Sequence, residues 1–251
     1  MIIRSVTLLV ALLGSDGVVL AADSRGTFGD PSQTTAQNDS QKKAHILAPH
    51  VAAITSGNGE VAALLAYEAK RAMEDVGLDG VTPVMEMLRE TCREKFNEWF
   101  PTVPAIQAPA LAAMGQAPTR PVVNFVVGGY ELGANGPHDP KLFHLLSHMD
   151  FAPMLSDYGW AVEGIAQYAL YLLNRLYQQD RGVQELTALA TYTITETASQ
   201  DGKVGGPVKV ITITPTKGCV LLDEEAIGGI MSQNAARSAA LQNSFYESGE
   251  A

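Results

Sequence analysis

The stretch TLLVALLGSDGVVLAADSR (7–25) contains two apolar runs that are separated by a short polar segment. The runs 7–13 and 18–22 have the length of strands, and GSDG (14–17) between them is typical of a tight connection. The second run ends abruptly in the polar triplet DSR (23–25). The pattern predicts a buried antiparallel hairpin that carries polar groups at one end.

Three reactive side chains would meet at that end of the hairpin. Thr7 opens the first strand, Asp23 ends the second, and Lys43 follows a long polar loop. A threonine hydroxyl is a weak nucleophile that needs a nearby base, and the α-amine of an N-terminal threonine, with a pKa near about 8, can serve. A lysine ammonium beside that amine would lower its pKa, and an aspartate would hold the lysine. The same residues also fit an ordinary hairpin with an exposed acid and a surface lysine.

This arrangement resembles the start of proteasome β-type subunits and their bacterial relatives, which are N-terminal nucleophile hydrolases. The resemblance makes Thr7 the nucleophile, Asp23 the supporting acid and Lys43 the active-site lysine. Gly26 and Thr27 fall where the family holds an extended substrate through backbone hydrogen bonds.

Further site residues follow from the same resemblance. Gly57 takes the place of a glycine whose N–H points at the developing oxyanion, although it also fits a residue that only caps the next helix. Asp201 matches an acid that supports the active-site network. Thr55 is expected to line the specificity pocket and to favour small or polar side chains.

The sequence departs from the family at three positions. Two serines that normally bond near the nucleophile are replaced by Ile165 and Val204. Val6 precedes Thr7, where active β subunits usually carry glycine, and residues 1–6 would have to be removed to expose the amine of Thr7. These departures favour an alternative, a catalytically silent structural subunit of a ring assembly.

Composition excludes several other classes of protein. The chain of 251 residues is 46% hydrophobic and 18% charged, and its net charge of −10 argues against a nucleic-acid partner. Cys92 and Cys219 form no metal motif, so we expect no metal, no cofactor and a reducing cytoplasm. No apolar run approaches the roughly 18–20 residues of a membrane span. A signal peptide cleaved near Ala21, and hence a secreted binding domain, is disfavoured because residues 14–17 interrupt the apolar run.

The remaining chain alternates strands with pairs of helices. This order predicts an α+β fold, a four-layer αββα sandwich of two antiparallel sheets flanked by helices. Residues 45–50 are predicted as a short strand and a turn, and the strands that follow are 51–57, 122–127, 142–146, 208–214 and 219–222. The predicted helices are 59–76, a helix starting at Thr82, 158–178 and 183–200.

We expect a single domain over 1–251. It would carry a leader at 1–6, a Pro-rich insertion at 101–121 and a polar C-terminal tail with some helical character at 223–251. The resemblance implies a threonine-type endopeptidase that cuts peptides or unfolded proteins inside a ring or helical homo-oligomer. Whether an ATPase unfoldase is a further partner stays open.

Overall fold

A computed structural model of the chain describes residues 7–30, 33–102 and 120–246. The expected leader 1–6, most of the Pro-rich insertion 101–121 and the end of the tail at 247–251 lie outside the described residues. For Thr27 only the backbone is described.

Two antiparallel sheets of five strands each form the centre of the fold. The first has the order β10-β1-β2-β11-β12 and the second the order β5-β6-β7-β8-β9, while β3 and β4 pair separately. The strands are β1 Leu8–Leu13, β2 Val18–Ala22, β3 Gly26–Asp30, β4 Gln33–Asn38, β5 Ala44–Ala48, β6 Val51–Gly57, β7 Val123–Gly133, β8 Gly136–Leu146, β9 Pro153–Leu155, β10 Trp160–Gly164, β11 Lys209–Thr214 and β12 Gly218–Leu221.

Helices cover the outer faces of both sheets. They are α1 Gly59–Val76, α2 Val81–Trp99, α3 Gln167–Leu176, α4 Val183–Gln200 and α5 Glu224–Tyr246. Asn58 caps α1 by accepting a hydrogen bond from the Val61 amide, and Gly77 ends it in the left-handed region at φ 63°. The predicted start of α2 at Thr82 is wrong, because the helix begins at Val81 with Gly80 as its N-cap.

Three apolar clusters separate these layers. One lies between α1, α2 and the second sheet, another between α3, α4 and the first sheet, and the third between the two sheets. β1 shows how alternation serves two of them: Leu8 and Val10 face the helices, whereas Leu9 and Ala11 face the other sheet. The four-layer αββα sandwich predicted from the sequence is confirmed.

Residues 158–164 were predicted as the start of a helix, and the structure corrects this. β10 pairs with β1 in register from Leu8 with Gly164 to Leu12 with Trp160. The edge of β1 offers a complete ladder of backbone partners, which outweighs the helical spacing that continues in α3. Gly164, at φ 98°, ends the strand in a conformation that side chains rarely adopt.

Other segments are more ordered than the sequence indicated. The polar loop before Lys43 contains the hairpin β3–β4, and the loop predicted after residue 131 is part of the long hairpin β7–β8. The polar tail forms α5 up to Tyr246. The polar composition of these segments predicted loops, but backbone pairing and packing give them regular secondary structure.

Gly128 provides a test of how closely the two sheets approach each other. A methyl group there would come within 2.9 Å of Leu142 and 3.0 Å of Leu20. We therefore expect Gly128→Ala to lower the free energy of unfolding by about 1–3 kcal/mol, measured by chemical denaturation. Gly228→Ala, in open space on α5, is the matched control and should raise stability by up to about 1 kcal/mol. Equal effects of the two substitutions would contradict this view of the sheet interface.

Candidate active site

Thr7, Asp23 and Lys43 lie in direct contact at one end of the space between the sheets. The Thr7 hydroxyl donates to Asp23 Oδ1, and Lys43 Nζ donates to Thr7 Oγ. Lys43 Nζ also lies 2.7 Å from Asp23 Oδ1. All three residues are buried, with exposed fractions of 2%, 0% and 3%.

The backbone holds the Asp23 carboxylate from three directions. The amide of Leu8, at the start of β1, donates to Oδ1 over 3.1 Å. The amides of Arg25 and Gly205 donate to Oδ2 over 3.3 Å and 3.1 Å. A buried carboxylate needs such donors, and these come from three separate segments of the chain. The orientation of Asp23 therefore depends on correct assembly of the fold.

Lys43 has a partner for each of its three donor hydrogens. Besides Thr7 and Asp23, Nζ donates to the carbonyl oxygen of Arg25 over 2.6 Å. Burial lowers the pKa of the Lys43 ammonium, while the charge of Asp23 acts in the opposite direction. Burial thus makes the ammonium a stronger acid than that of an exposed lysine, and its contact with Thr7 Oγ places a positive charge next to that oxygen.

Arg25 and Asp39 form a second layer that sequence reasoning did not assign. The Arg25 guanidinium makes a bidentate pair with Asp39 over 2.8 and 2.9 Å, and also donates to the Gly202 carbonyl over 2.9 Å. A Cβ on Gly205 would lie 2.6 Å from the guanidinium carbon, so glycine permits this approach. The sequence contained an indication of this pair, because DSR (23–25) at the end of β2 is followed by the acidic residue Asp39 in the polar segment before Lys43. The Arg25 side chain thus connects Asp39, which follows β4, to the loop that carries Gly202 and Gly205.

Ile165 and Gly164 lie against the backbone of Thr7. The Ile165 amide donates to the Thr7 carbonyl over 2.8 Å, and a Cβ on Gly164 would come within 1.9 Å of the same oxygen. The side chains of Ile165 and Val204 pack into the apolar cluster beneath α3 and α4, where Val204 is fully buried. Of the two positions that lack the expected serines, Val204 is thus part of the core, and Ile165 is partly buried against it.

Gly57 and Asp201 were also predicted as site residues, and the structure shows their local contacts. Gly57 ends β6 at φ 91°, and a Cβ there would be 2.1 Å from the Val122 carbonyl oxygen, so only glycine fits. Asp201 ends α4, and its carboxylate accepts from the Lys203 amide over 2.9 Å. Among the described residues, the structure gives Asp201 no hydrogen bond to Thr7, Asp23 or Lys43. It shapes the loop that leads to Gly205.

Thr55 and the segment after Arg25 complete the predicted set. Thr55 is only 1% exposed, and its hydroxyl lies 3.5 Å from the Lys43 carbonyl oxygen and 3.4 Å from His45 Nε2. It is thus enclosed behind Lys43 instead of lining an open pocket. Gly26 and Thr27 lie in β3, which pairs with β4 along one edge. Their backbone is extended, as binding of an extended peptide requires.

Two general properties of the described residues bear on the type of site. They contain no group of three or more His, Cys, Asp or Glu side chains placed to hold a metal ion. No helix within those ranges has the length and apolar character needed to cross a bilayer.

The chain is similar in sequence to one known class of protein. No family model matches the sequence. Proteasome subunit beta 2 of Aeropyrum pernix is 26% identical over 218 residues, which cover 85% of this chain and 84% of that protein.

Two solved structures superpose over nearly the whole chain. One is the Anbu (Gly-1) mutant from Hyphomicrobium sp. strain MC1, with a TM-score of 0.70, 18% identity, and coverage of 98% of this chain and 99% of the other. The other is Anbu, described as an ancestral beta-subunit, from Yersinia bercovieri, with a TM-score of 0.68, 18% identity, and coverage of 97% and 99%. The chain therefore has the fold of proteasome-like N-terminal nucleophile hydrolases and is similar in sequence to a proteasome β subunit.

Proposed function

We propose that this protein is a threonine peptidase in which Thr7 is the nucleophile. The observation that carries the proposal is the buried contact of the Thr7 hydroxyl with both Asp23 and Lys43. A lysine ammonium in contact with the hydroxyl oxygen would stabilise the negative charge that develops on that oxygen as it attacks. The similarity to a proteasome β subunit supports the same assignment.

Catalysis would require removal of residues 1–6. The α-amine of Thr7 would then be free to accept the hydroxyl proton, with Lys43 lowering its pKa through their like charge. Oγ would attack the carbonyl carbon of the scissile peptide bond, and the proton would pass to the leaving amine. Water would then hydrolyse the resulting ester and restore the threonine. Gly57 is the proposed oxyanion donor, and Gly26 and Thr27 would bind the extended substrate.

A catalytically silent subunit is the second candidate. The packing of Ile165 and Val204 in and against the apolar cluster favours it, because neither side chain can donate or accept a hydrogen bond near Thr7. In this alternative the same fold would act as a structural component of an assembly, and residues 1–6 would stay attached.

The two candidates differ in the N-terminus of the purified protein. If the site is active, we expect intact mass spectrometry to show loss of residues 1–6 and a chain that begins at Thr7. The same measurement on Thr7→Ala should show the leader retained, because the attacking oxygen is absent. A wild-type chain that keeps Val6 would support the silent subunit.

Hydrolysis itself should depend on the Thr7 oxygen. We expect Thr7→Ala to lower peptide hydrolysis by about 10³-fold or more, as loss of a nucleophile does in other hydrolases. Lys43→Ala should be nearly as damaging, and Asp23→Asn less so. The assay is a panel of fluorogenic peptides with small, acidic, basic and apolar residues before the cut. Thr216→Ala, in an exposed turn, is the matched control and should keep full activity. Equal hydrolysis by wild type and Thr7→Ala would assign the activity to a contaminant.

We further propose that the chain assembles into a homo-oligomer. Large aromatic side chains are exposed on the outer helices, including Tyr171 on α3 (62%) and Phe245 on α5 (72%). Burial of such side chains between subunits is favourable, and a single folded chain leaves them in water.

Light scattering after size exclusion should give a mass that is a multiple of 26.7 kDa at micromolar concentration. Phe245→Glu should shift that mass towards a single chain, because it places a charge in the contact. A wild-type mass near that of one chain would contradict the assembly.

A further inference from the structure

A second polar cluster lies beside Thr7 between the two sheets. It consists of Ser56 on β6, Asn124 on β7 and Glu163 on β10. Ser56 and Asn124 are cross-strand partners, and they share a face with Ile54 and Val126, which pack between the sheets. Glu163 is the partner of Leu9, whose side chain packs in the same space. The three side chains therefore meet across the sheet interface.

Their contacts leave acceptor atoms unused. Asn124 Nδ2 donates to Glu163 Oε1 over 2.8 Å and joins the two sheets. Asn124 Oδ1 and Ser56 Oγ are buried, yet neither has a hydrogen-bond partner among the described residues. The two residues are only 4% and 3% exposed, whereas Glu163 is partly open to solvent. A buried polar atom without a partner is costly, so an external donor is expected to reach this place.

The cluster is next to the reacting groups. Ser56 immediately precedes Gly57, the proposed oxyanion donor. Glu163 immediately precedes Gly164, where an added Cβ would lie 1.9 Å from the Thr7 carbonyl oxygen. Its position relative to the substrate follows from the topology. β3, the proposed substrate strand, continues from β2 on one side of β1, whereas β10 lies on the other side. A peptide that runs along β3 to Thr7 would continue towards this cluster after the scissile bond.

The chemistry of the cluster selects the type of group that binds. A carboxyl, an amide oxygen and a hydroxyl oxygen all accept hydrogen bonds. Burial raises the pKa of the Glu163 carboxyl, and the hydrogen bond from Asn124 and the charge of His148 act in the opposite direction. A cationic donor would stabilise the ionised carboxylate that burial disfavours. Lysine and arginine side chains carry such donors, and arginine also matches a carboxylate in a bidentate manner.

We propose that Ser56, Asn124 and Glu163 form a subsite that receives a basic side chain of the residue following the scissile bond. The substrate part of this inference rests on the proposed peptidase function. The binding part does not, because a guanidinium or ammonium group should bind the cluster without any reaction.

Binding can be measured with a small mimic of the arginine side chain. Propylguanidinium and its neutral analogue propylurea, titrated into the full chain by saturation-transfer NMR, differ only in charge and in one donor group. We expect propylguanidinium to bind about tenfold or more tightly than propylurea, as charge-assisted hydrogen bonds imply. Glu163→Gln keeps an acceptor for Asn124 and should abolish that difference. Glu90→Gln, the same change on the exposed face of α2, should retain it.

Folding and reaction are controlled separately. Ser56→Ala removes a hydroxyl that has no partner among the described residues, so it should leave Tm unchanged or raised while weakening propylguanidinium binding.

In the second arm, internally quenched peptides carry Arg, Lys, Gln or Glu after the cut, and mass spectrometry locates the cleaved bond. Wild type and Glu90→Gln should prefer Arg and Lys about tenfold in kcat/KM, and Glu163→Gln should lose the preference.

The outcomes separate this proposal from the peptidase proposal. Selective binding of propylguanidinium without cleavage of any peptide would refute the peptidase and leave the basic-group site in place. Cleavage that requires Thr7, with equal binding of the two probes and equal rates for all four peptides, would overturn the subsite and indicate that the cluster holds only water. Selectivity that survives in Glu163→Gln would overturn it as well.

Discussion

The buried pairing of Lys43 with Asp23 is the interaction on which the arrangement of the site depends. Two charges taken out of water cost several kcal/mol each, and removing one partner of such a pair typically costs about 3–5 kcal/mol. The penalty is offset here because both groups are fully hydrogen-bonded, Lys43 by three acceptors and Asp23 by three backbone amides besides Thr7 and Lys43. β1, the end of β2, the start of β5 and the loop at Gly205 must all be in place for this to hold. Misplacing one segment would leave a buried charge without its partners, so the folded chain is held to one geometry around Thr7.

An apolar replacement of a buried ion pair is often neutral or stabilising. Stability alone therefore does not explain why Lys43 and Asp23 occupy this place. The proposed reactivity would explain it, because a threonine nucleophile needs a positive charge next to its hydroxyl and an acid that orients the group carrying that charge. The pair supports the peptidase proposal through its chemistry more than through its contribution to folding.

Sequence patterns predicted the elements whose apolar spacing is strong. The hairpin β1–β2, the helix at 183–200 and the layered architecture follow directly from alternation and helical periodicity. β10 was missed because its residues match a helical spacing that continues into α3. It forms a strand because it pairs with the edge of β1, and this long-range contact cannot be read from the local sequence. β3 and β4 were missed because their composition is polar, and backbone pairing leaves little trace in composition.

The site shows the same division between local and long-range information. Thr7, Asp23 and Lys43 were predicted as site residues because they stand at the ends of recognisable elements, and the structure places them in contact. Partners that are distant in sequence are harder to predict. Gly205 donates to Asp23 through its backbone amide, and every residue type except proline has such a donor, so the residue type gives no indication of the contact. The cluster of Ser56, Asn124 and Glu163 was also missed, because each of these residues alone resembles an ordinary strand residue. Its meaning depends on the pairing of β6 with β7 and of β1 with β10.

His45 is a buried histidine in β5, two residues after Lys43. It lies behind Lys43, 8% exposed and next to the Thr55 hydroxyl, and burial lowers the pKa of its imidazole to about 4. At neutral pH the ring is therefore uncharged and adds no second cation beside the ammonium. The balance at Thr7 is then set mainly by Asp23, which stabilises the charged lysine, and by burial, which disfavours it. In the proposed reaction a charged Lys43 lowers the pKa of the Thr7 α-amine, so Asp23, which stabilises that charge, supports removal of the Thr7 proton.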